Sequence, residues 1–392
     1  MMKKRFRIVW AVLWSVVMPL AGFAADGQME PGEPESKGGG GGVLKKVGAF
    51  LDSMSIQGLD RDYIELPEKP WLVIAKGKVY QSDLTIKSNL SGKIFSPDWG
   101  EIIWQPKIKT DVSAYAGAWV GYRCYGFGYT KDLGGNGGLL EFSAVGGCYG
   151  VNLRIHRFHT DEPEVRVKGD MSDWEETKFN YWLTEPIRVR TLTLDGYYLF
   201  NSKRFSYAAA YDQSVIQKRS AGTLMAGAMY YHSSVAYDKG IDADFILFMN
   251  DIGKIKQSQL SIGAGYAYNY VPCKGLLVSA MVMPMLTVYN RVDLWRYHSK
   301  LREKAIEEFQ DTTSDDVEVD IDFEDMIIWP VGKETHHSRL TFNYDARLSV
   351  TYNVGNWFFN AYGQFNRFRF KHDDSTGRIH DWYINASVGL RM

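Results

Sequence analysis

Within residues 338 to 353, side chains alternate without a break between polar and apolar from Arg339 to Asn353. Leu340, Phe342, Tyr344, Ala346, Leu348, Val350 and Tyr352 share one parity, while Arg339, Asp345 and Arg347 stand on the other among Thr, Asn and Ser. Successive side chains of an extended strand point to opposite faces, so this segment has one oily face and one wet, charged face. A soluble core struggles to bury those charges. A transmembrane β-barrel, with lipid outside and a polar lumen inside, accommodates both faces.

One such strand would be ordinary in an antiparallel sheet with a solvated side, but the pattern recurs. Residues 257 to 271 set Leu260, Ile262, Ala264, Tyr266, Tyr268 and Tyr270 against Gln257, Gln259, Ser261, Gly263, Gly265 and Asn269. Residues 382 to 392 set Trp382, Ile384, Ala386, Val388, Leu390 and Met392 against Asn385, Ser387 and Arg391. After residue 24 the chain offers no run of about 18 uncharged apolar residues, so a membrane-resident chain of this sequence crosses with strands and not with helices. Its 38 Gly, 24 Tyr, 20 Phe and 12 Trp suit twisted, crowded strands and interfacial aromatic girdles.

The first residues carry Lys3, Lys4, Arg5 and Arg7, then an apolar run from Ile8 that ends in the small residues Gly22 and Ala24. This reads as a secretory signal over residues 1–24. Its removal takes the formal net charge from −1 to −5, which argues against a nucleic-acid partner. Residues 25–60 read as a periplasmic linker that runs through five glycines, Gly38 to Gly42, into a short amphipathic helix. Val43, Leu44, Val47, Phe50, Leu51 and Met54 give that helix its apolar spacing. Cys124, Cys148 and Cys273 are an odd number, so one at least is unpaired within the chain. A Cys124–Cys148 bridge is conceivable from neighbouring strands, but the implied register sits poorly with the Cα separation a disulfide needs. Thiols packed as small hydrophobes are the expectation.

Twelve β-patterned runs follow from residue 61 to the end: 72–87, 110–121, 123–130, 139–158, 186–200, 204–217, 221–238, 257–271, 276–291, 338–353, 356–371 and 382–392. The fold class is therefore all-β, an antiparallel up-and-down transmembrane barrel of about 12 strands with a short N-terminal helix. Counting back from a periplasmic C-terminus makes 272–275 and 353–356 periplasmic turns and sends 239–256, the long loop 292–337 and 372–381 outside. Residues 159–185 break the rule, since this count leaves a long segment in the periplasm. Either that loop is unusual, or 139–158 is a hairpin that turns near Gly146 to Gly150.

Asp62-Tyr63-Ile64-Glu65-Leu66-Pro67, followed by Trp71, resembles the start of a family of uncharacterised outer-membrane barrels of Bacteroidetes-type bacteria. The central block Gly196 to Asn201, Phe205-Ser206-Tyr207-Ala208-Ala209 and Gln217-Lys218-Arg219-Ser220-Ala221-Gly222 resembles that family's signature. The resemblance spans about residues 62–392. It implies an outer-membrane barrel and carries no biochemical role. Asn201, Phe205, Ser206, Tyr207, Gln217, Lys218, Ser220 and Gly222 are its signature positions here.

Three groups of residues are candidates for chemistry. In the long loop, Asp316, Glu318, Asp320, Asp322 and Glu324 alternate with apolar residues and line up carboxylates that could hold a divalent cation, although the spacing is not that of a calcium loop and a solvated acidic face explains it as well. His336, His337 and Ser338, with Glu334, are the residue types of a lipid hydrolase, without a surrounding motif. Asp195, Asp212, Gln257, Gln259, Arg339, Asp345 and Arg347 take the lumen-facing parity, where they either line a selective path or pair across the barrel and close it. Met281, Met283 and Met285 share the inward register, an apolar patch suited to a plugged lumen, with packing against the N-terminal helix as the plainer account.

The resulting expectation is an integral, porin-like barrel of a Gram-negative outer membrane, with both termini periplasmic, that passes or binds a small solute. The rival is a closed-lumen surface-interaction protein that acts through its acidic loop, and the third reading is a lipid hydrolase. The expected partners are outer-membrane lipid and the barrel-assembly machinery, with a small solute or a divalent cation as further ligands. No nucleotide loop, metal-ligand cluster or haem motif rises above chance, so neither a cofactor nor an enzymatic role is expected.

Overall fold

Dyad patterning becomes geometry directly. In the 341–354 strand, Phe342 is 77% exposed and Leu348 55%, whereas Asp345 is fully buried and Arg347 nearly so. The computed structural model describes residues 58–89, 102–109, 112–123, 125–135, 137–160, 163–169, 177–237, 245–246, 249, 251–301, 326–337, 340–372 and 375–392. The expected signal peptide, linker and 43–54 helix lie outside the described residues, as do Cys124, the acidic row 316–324, Ser338 and Arg339.

Twelve strands form the wall. They are β1 (Trp71–Asn89), β2 (Ser113–Tyr122), β3 (Tyr125–Asp132), β4 (Gly137–Val145), β5 (Tyr149–Thr160), β6 (Ile187–Leu199), β7 (Ala221–Ala236), β8 (Ile252–Cys273), β9 (Leu276–Leu301), β10 (Thr341–Val354), β11 (Trp357–His372) and β12 (Ser375–Arg391). Each pairs antiparallel with its sequence neighbour, and β12 returns to β1 from Arg391↔Leu72 to Thr376↔Lys87. The closed sheet leaves no edge for the lipid to solvate, which is the condition for crossing a bilayer with strands. No helix among the described residues is long and apolar enough to cross.

The count of twelve survives two compensating differences from the sequence reading. Residues 139–158 are a hairpin, β4 and β5, turned at 146–148, where Gly146 N donates to Tyr149 O at 2.8 Å. Residues 204–217 are no wall strand: they hold a short helix, α1 (Tyr207–Tyr211), between β6 and β7. Together these changes move 161–186 to the same end of the barrel as 237–251 and 302–340, the loop end, and leave the turns 146–148, 274–275 and 355–356, the 200–220 segment and the C-terminus at the other, the terminal end. Of the expected 372–381 loop, His372 ends β11 and 375–381 belong to β12. Cys148 and Cys273 are free, and Cys273, at a hairpin turn, is exposed and not packed inside.

β8 and β9 have 22 and 26 residues, about twice what a tilted strand needs to cross. β9 is bulged where Leu260↔Tyr289 is followed by Ser261↔Thr287, and beyond the bulge it pairs with Met326–His337 as a projecting ribbon. On the opposite wall, Ile102–Lys109 adds to the end of β1, followed by Glu164–Gly169 and Thr177–Asn180.

Candidate functional site

Two residues apart on β10, Asp345 and Arg347 share the inner face, close enough for a fork of three hydrogen bonds. Arg347 Nε donates to Asp345 Oδ1 and Oδ2 at 3.1 and 3.0 Å, and Nη2 to Oδ2 at 2.6 Å. Across the lumen, Arg347 Nη2 also reaches Asp195 Oδ2 of β6 at 3.0 Å. Asp195 takes a second guanidinium, Arg154 Nη2 of β5, at 3.2 Å and the Asn152 amide at 2.8 Å. Arg154 Nη1 completes the ring by donating to Gln364 Oε1 of β11 and the Tyr383 hydroxyl of β12 at 2.8 and 2.7 Å, and Gln364 Nε2 returns to Asp345 Oδ1 at 3.1 Å. Two arginines thus face two carboxylates, so the cluster is neutral as a whole and each charge has several partners. Those are the conditions under which buried ions persist.

A second inner cluster joins β1 to β4, where Glu141 accepts from Lys78 at 2.6 Å and Lys76 at 3.1 Å. Nearby, Tyr115 and His156 share a hydrogen bond of 2.9 Å. The cavity between these groups, lined by Lys76, Glu141, Arg154, Tyr207 and Arg347 among others, is about 60 Å³.

The 200–220 segment fills the terminal end of the lumen. Leaving β6, the chain turns at Asn201, whose amide N donates to Thr223 Oγ1 and whose side chain donates to Gly222 O. Ser206 caps α1, its hydroxyl accepting from Ala209 N at 3.3 Å. Tyr207 receives a hydrogen bond from Arg347 Nη1, which ties the helix to the charged ring. At the helix end the Ala210 carbonyl accepts from Ser349 Oγ at 2.6 Å and from Asn360 Nδ2 at 3.2 Å. Gln213 holds a left-handed φ of +61°, a sparse region for a residue with a Cβ. It is fixed by its own side chain bonding Ala210 O and by Arg391 donating to its carbonyl at 2.8 and 3.2 Å. The Gln217 amide then braces the return, accepting from Ser206 N and Asn269 Nδ2 and donating to Arg204 O and Arg219 O. Ile216–Gln217 pairs with Ile64–Glu65 below the barrel.

The positions the sequence singled out distribute as follows. Asp195, Asp345 and Arg347 meet in the ring, and Asp212 ends α1 and accepts from Ser143 Oγ at 2.9 Å. Gln257 and Gln259 are buried on the inner face of β8, nearer the loop end. Among the signature positions, Asn201, Ser206, Tyr207 and Gln217 build the plug, and Phe205 is fully buried within it. Lys218 N reaches Tyr63 O, Ser220 Oγ accepts from Val271 N, and Gly222 leaves the space that Tyr266 occupies. Met283 and Met285 lie over inward glycines of neighbouring strands, and Met281 is buried opposite Ala267; a Cβ at Gly227 would come 2.9 Å from Met283 Sδ. Glu334 bonds His336 at 3.3 Å and Arg296 at 3.2 Å at the surface. His337, one residue on, takes the opposite face of its strand and meets the Tyr289 ring, so the two histidines do not converge. Among the described residues no group of three His, Cys, Asp or Glu side chains is placed to hold a metal ion.

Arg154, Gln364, Tyr383, Lys78 and Glu141 were missed from the sequence. Arg154 was within reach of it, since Asn152, Arg154 and His156 alternate with Val151, Leu153 and Ile155. A further polar pair, His232 Nδ1 and Ser258 Oγ at 2.8 Å, lies on the outer wall, where each satisfies the other.

A family model described as a domain of unknown function, DUF4421, matches residues 60–391. The chain belongs to the DUF4421 family. No curated protein matches this DUF4421 chain. Among solved structures, it is similar to the outer membrane protease OmpT from Escherichia coli at 9% identity, over 83% of this chain and 98% of that one, with a TM-score of 0.34. It is also similar to the translocator domain of the autotransporter NalP from Neisseria meningitidis, at 10% identity over 90% and 97% of the two chains and a TM-score of 0.29. A third is the COG4313 outer membrane channel from Pseudomonas putida F1, at 11% identity over 84% and 98% and a TM-score of 0.27.

Proposed function

We propose that this DUF4421 chain is an integral outer-membrane barrel whose lumen is closed at rest and which works by binding at its loop end. The observation that carries this reading is the plug: the 200–220 segment bonds through the Ala210 carbonyl to β10 and β11, through Tyr207 to Arg347, and through the Gln213 carbonyl to β12. Passive passage, the expectation favoured by sequence, needs a continuous water path. The 60 Å³ cavity beside the plug has room for a few waters, at about 10–15 Å³ of such space each, and none for a solute. The two-residue turns 274–275 and 355–356 at the terminal end and the long connections 161–186, 237–251 and 302–340 at the other support an orientation with both termini in the periplasm, the 200–220 segment being the exception that folds into the lumen. The hydrolase reading drew on His336 and His337, and neighbours that face opposite ways give it no support.

The test is conductance of the refolded chain in a planar bilayer. Silence is expected from the native protein, and brief openings from the Gln217→Ala, Arg391→Ala double variant, which loosens the plug at two points. A steady ohmic conductance from the native protein would overturn the closed-lumen reading.

A further inference from the structure

The outer wall of β3 to β8 changes character over two residues. Cross-strand register lines up Phe127, Phe142, Leu153, Leu194, Tyr230 and Leu260 as one continuous apolar row facing lipid. Two residues nearer the loop end the row is Tyr129, Leu140, Ile155, Leu192 and His232. Two residues further it becomes Lys131, Gly138, Arg157, Arg190, Ser234 and Lys256, and the row beyond that contains His159, Arg188 and Lys254. A belt of cations therefore stands directly on the apolar band, with about 7 Å of strand between successive same-face rows.

Within the belt, Arg157 and Arg190 are exposed, directly opposite one another on paired strands, and make no ion pair among the described residues. Like charges in that relation destabilise a sheet. Two nearby acids among the described residues are engaged elsewhere: Glu185 contacts Arg188 at 3.5 Å, and Asp293 is taken by Arg291 and Lys333 at 2.9 and 2.8 Å. A groove of about 770 Å³ opens here, with Arg157, Arg188 and Arg190 on one side and Tyr129, Leu140 and Ile155 below. Gly138, in register between Lys131 and Arg157, leaves the space that the Tyr129 ring occupies in the belt; a Cβ there would lie 2.7 Å from its hydroxyl.

We propose that this groove docks a lipid with a phosphorylated headgroup. A guanidinium fork matches phosphate oxygens two at a time, and one phosphate between Arg157 and Arg190 removes their mutual repulsion. The occupant is an amphiphile and not a free anion because the floor of the groove is apolar and continuous with the band that acyl chains cover. The inference rests on the membrane-embedded reading of the barrel and goes beyond the loop-end binding proposed above.

The experiment is native mass spectrometry of the refolded chain in neutral detergent, with equimolar diphosphoryl lipid A or its fully dephosphorylated counterpart. The folded state is checked separately by heat-modifiable mobility, so a chain that does not fold in micelles fails the membrane reading, and a folded chain that retains no lipid fails only this one. Retention of the phosphorylated lipid alone is expected. The Arg157→Ala, Arg190→Ala pair should weaken it about tenfold or more, with partial recovery in the Lys pair. Gly138→Leu, which changes no charge, should weaken it by pushing the Tyr129 ring into the groove, while Lys218→Ala at the terminal end should leave it unchanged. Equal retention of the dephosphorylated lipid, indifference to the arginine pair, or full displacement by equimolar inorganic phosphate would each overturn the proposal.

Discussion

Arg347 touches Asp345, Asp195 and Tyr207 from a site closed to solvent, so its loss leaves Asp345 without a cation and Asp195 with Arg154 alone. Arg347→Met is expected to cost about 3–5 kcal/mol, the usual penalty for breaking a buried pair from one side. Adding Asp345→Asn should recover part of it, because one orphaned charge goes with it. Urea midpoints in micelles measure both, and a single variant as stable as the native chain would mean that water already solvates the ring. Asp345 and Arg347 were legible as neighbours because two residues on one strand share a face. Their meeting with Asp195 and Arg154 was not, since residues on β5, β6 and β10 come together only through closure of the whole sheet.

Among the elements, the ribbon of β9 with Met326–His337 carries its own pH dependence. Partial burial pushes the Asp293 carboxyl up, but hydrogen bonds from Lys333, Thr335 and Arg291 outweigh it and hold it down at about 2. A carboxylate lowered on folding contributes stability that is complete above its unfolded value of about 3.9 and disappears as pH falls through the folded one. Amide exchange over 326–337, corrected for intrinsic rates, should show protection that is steady down to pH about 4 and falling toward pH about 2. Asp293→Asn should flatten that profile; an unchanged profile would mean other groups hold the ribbon. The element least legible in the sequence was the plug. Phe205, Tyr207, Val215 and Ile216 have the apolar content of a strand, and the contrary sign was Ala208-Ala209-Ala210 behind a capping Ser206, a run that breaks alternation and favours helix.

For the whole molecule, the parity of the strands sets which ends share a compartment. Cys273 is exposed in a terminal-end hairpin, so with Cys124 and Cys148 changed to Ser it becomes a single reporter. In intact cells an impermeant maleimide should leave Cys273 unlabelled and label a cysteine placed at Lys333 in the loop-end ribbon; the reverse pattern would invert the barrel. Strand number was legible because lipid demands an apolar residue at every second position of a crossing strand. Where the chain bends inward that demand lapses, and 204–217 could pass for wall.

Arg391, the last residue of β12, pairs with Leu72 across the seam and also grips the Gln213 carbonyl. Synthesis delivers the plug long before this residue, so the order of assembly is built into the chain: the last tie on the plug waits until the seam forms. A barrel caught before closure therefore holds its plug more loosely, and a protease added on the terminal side could tell the two states apart by cutting at 200–220.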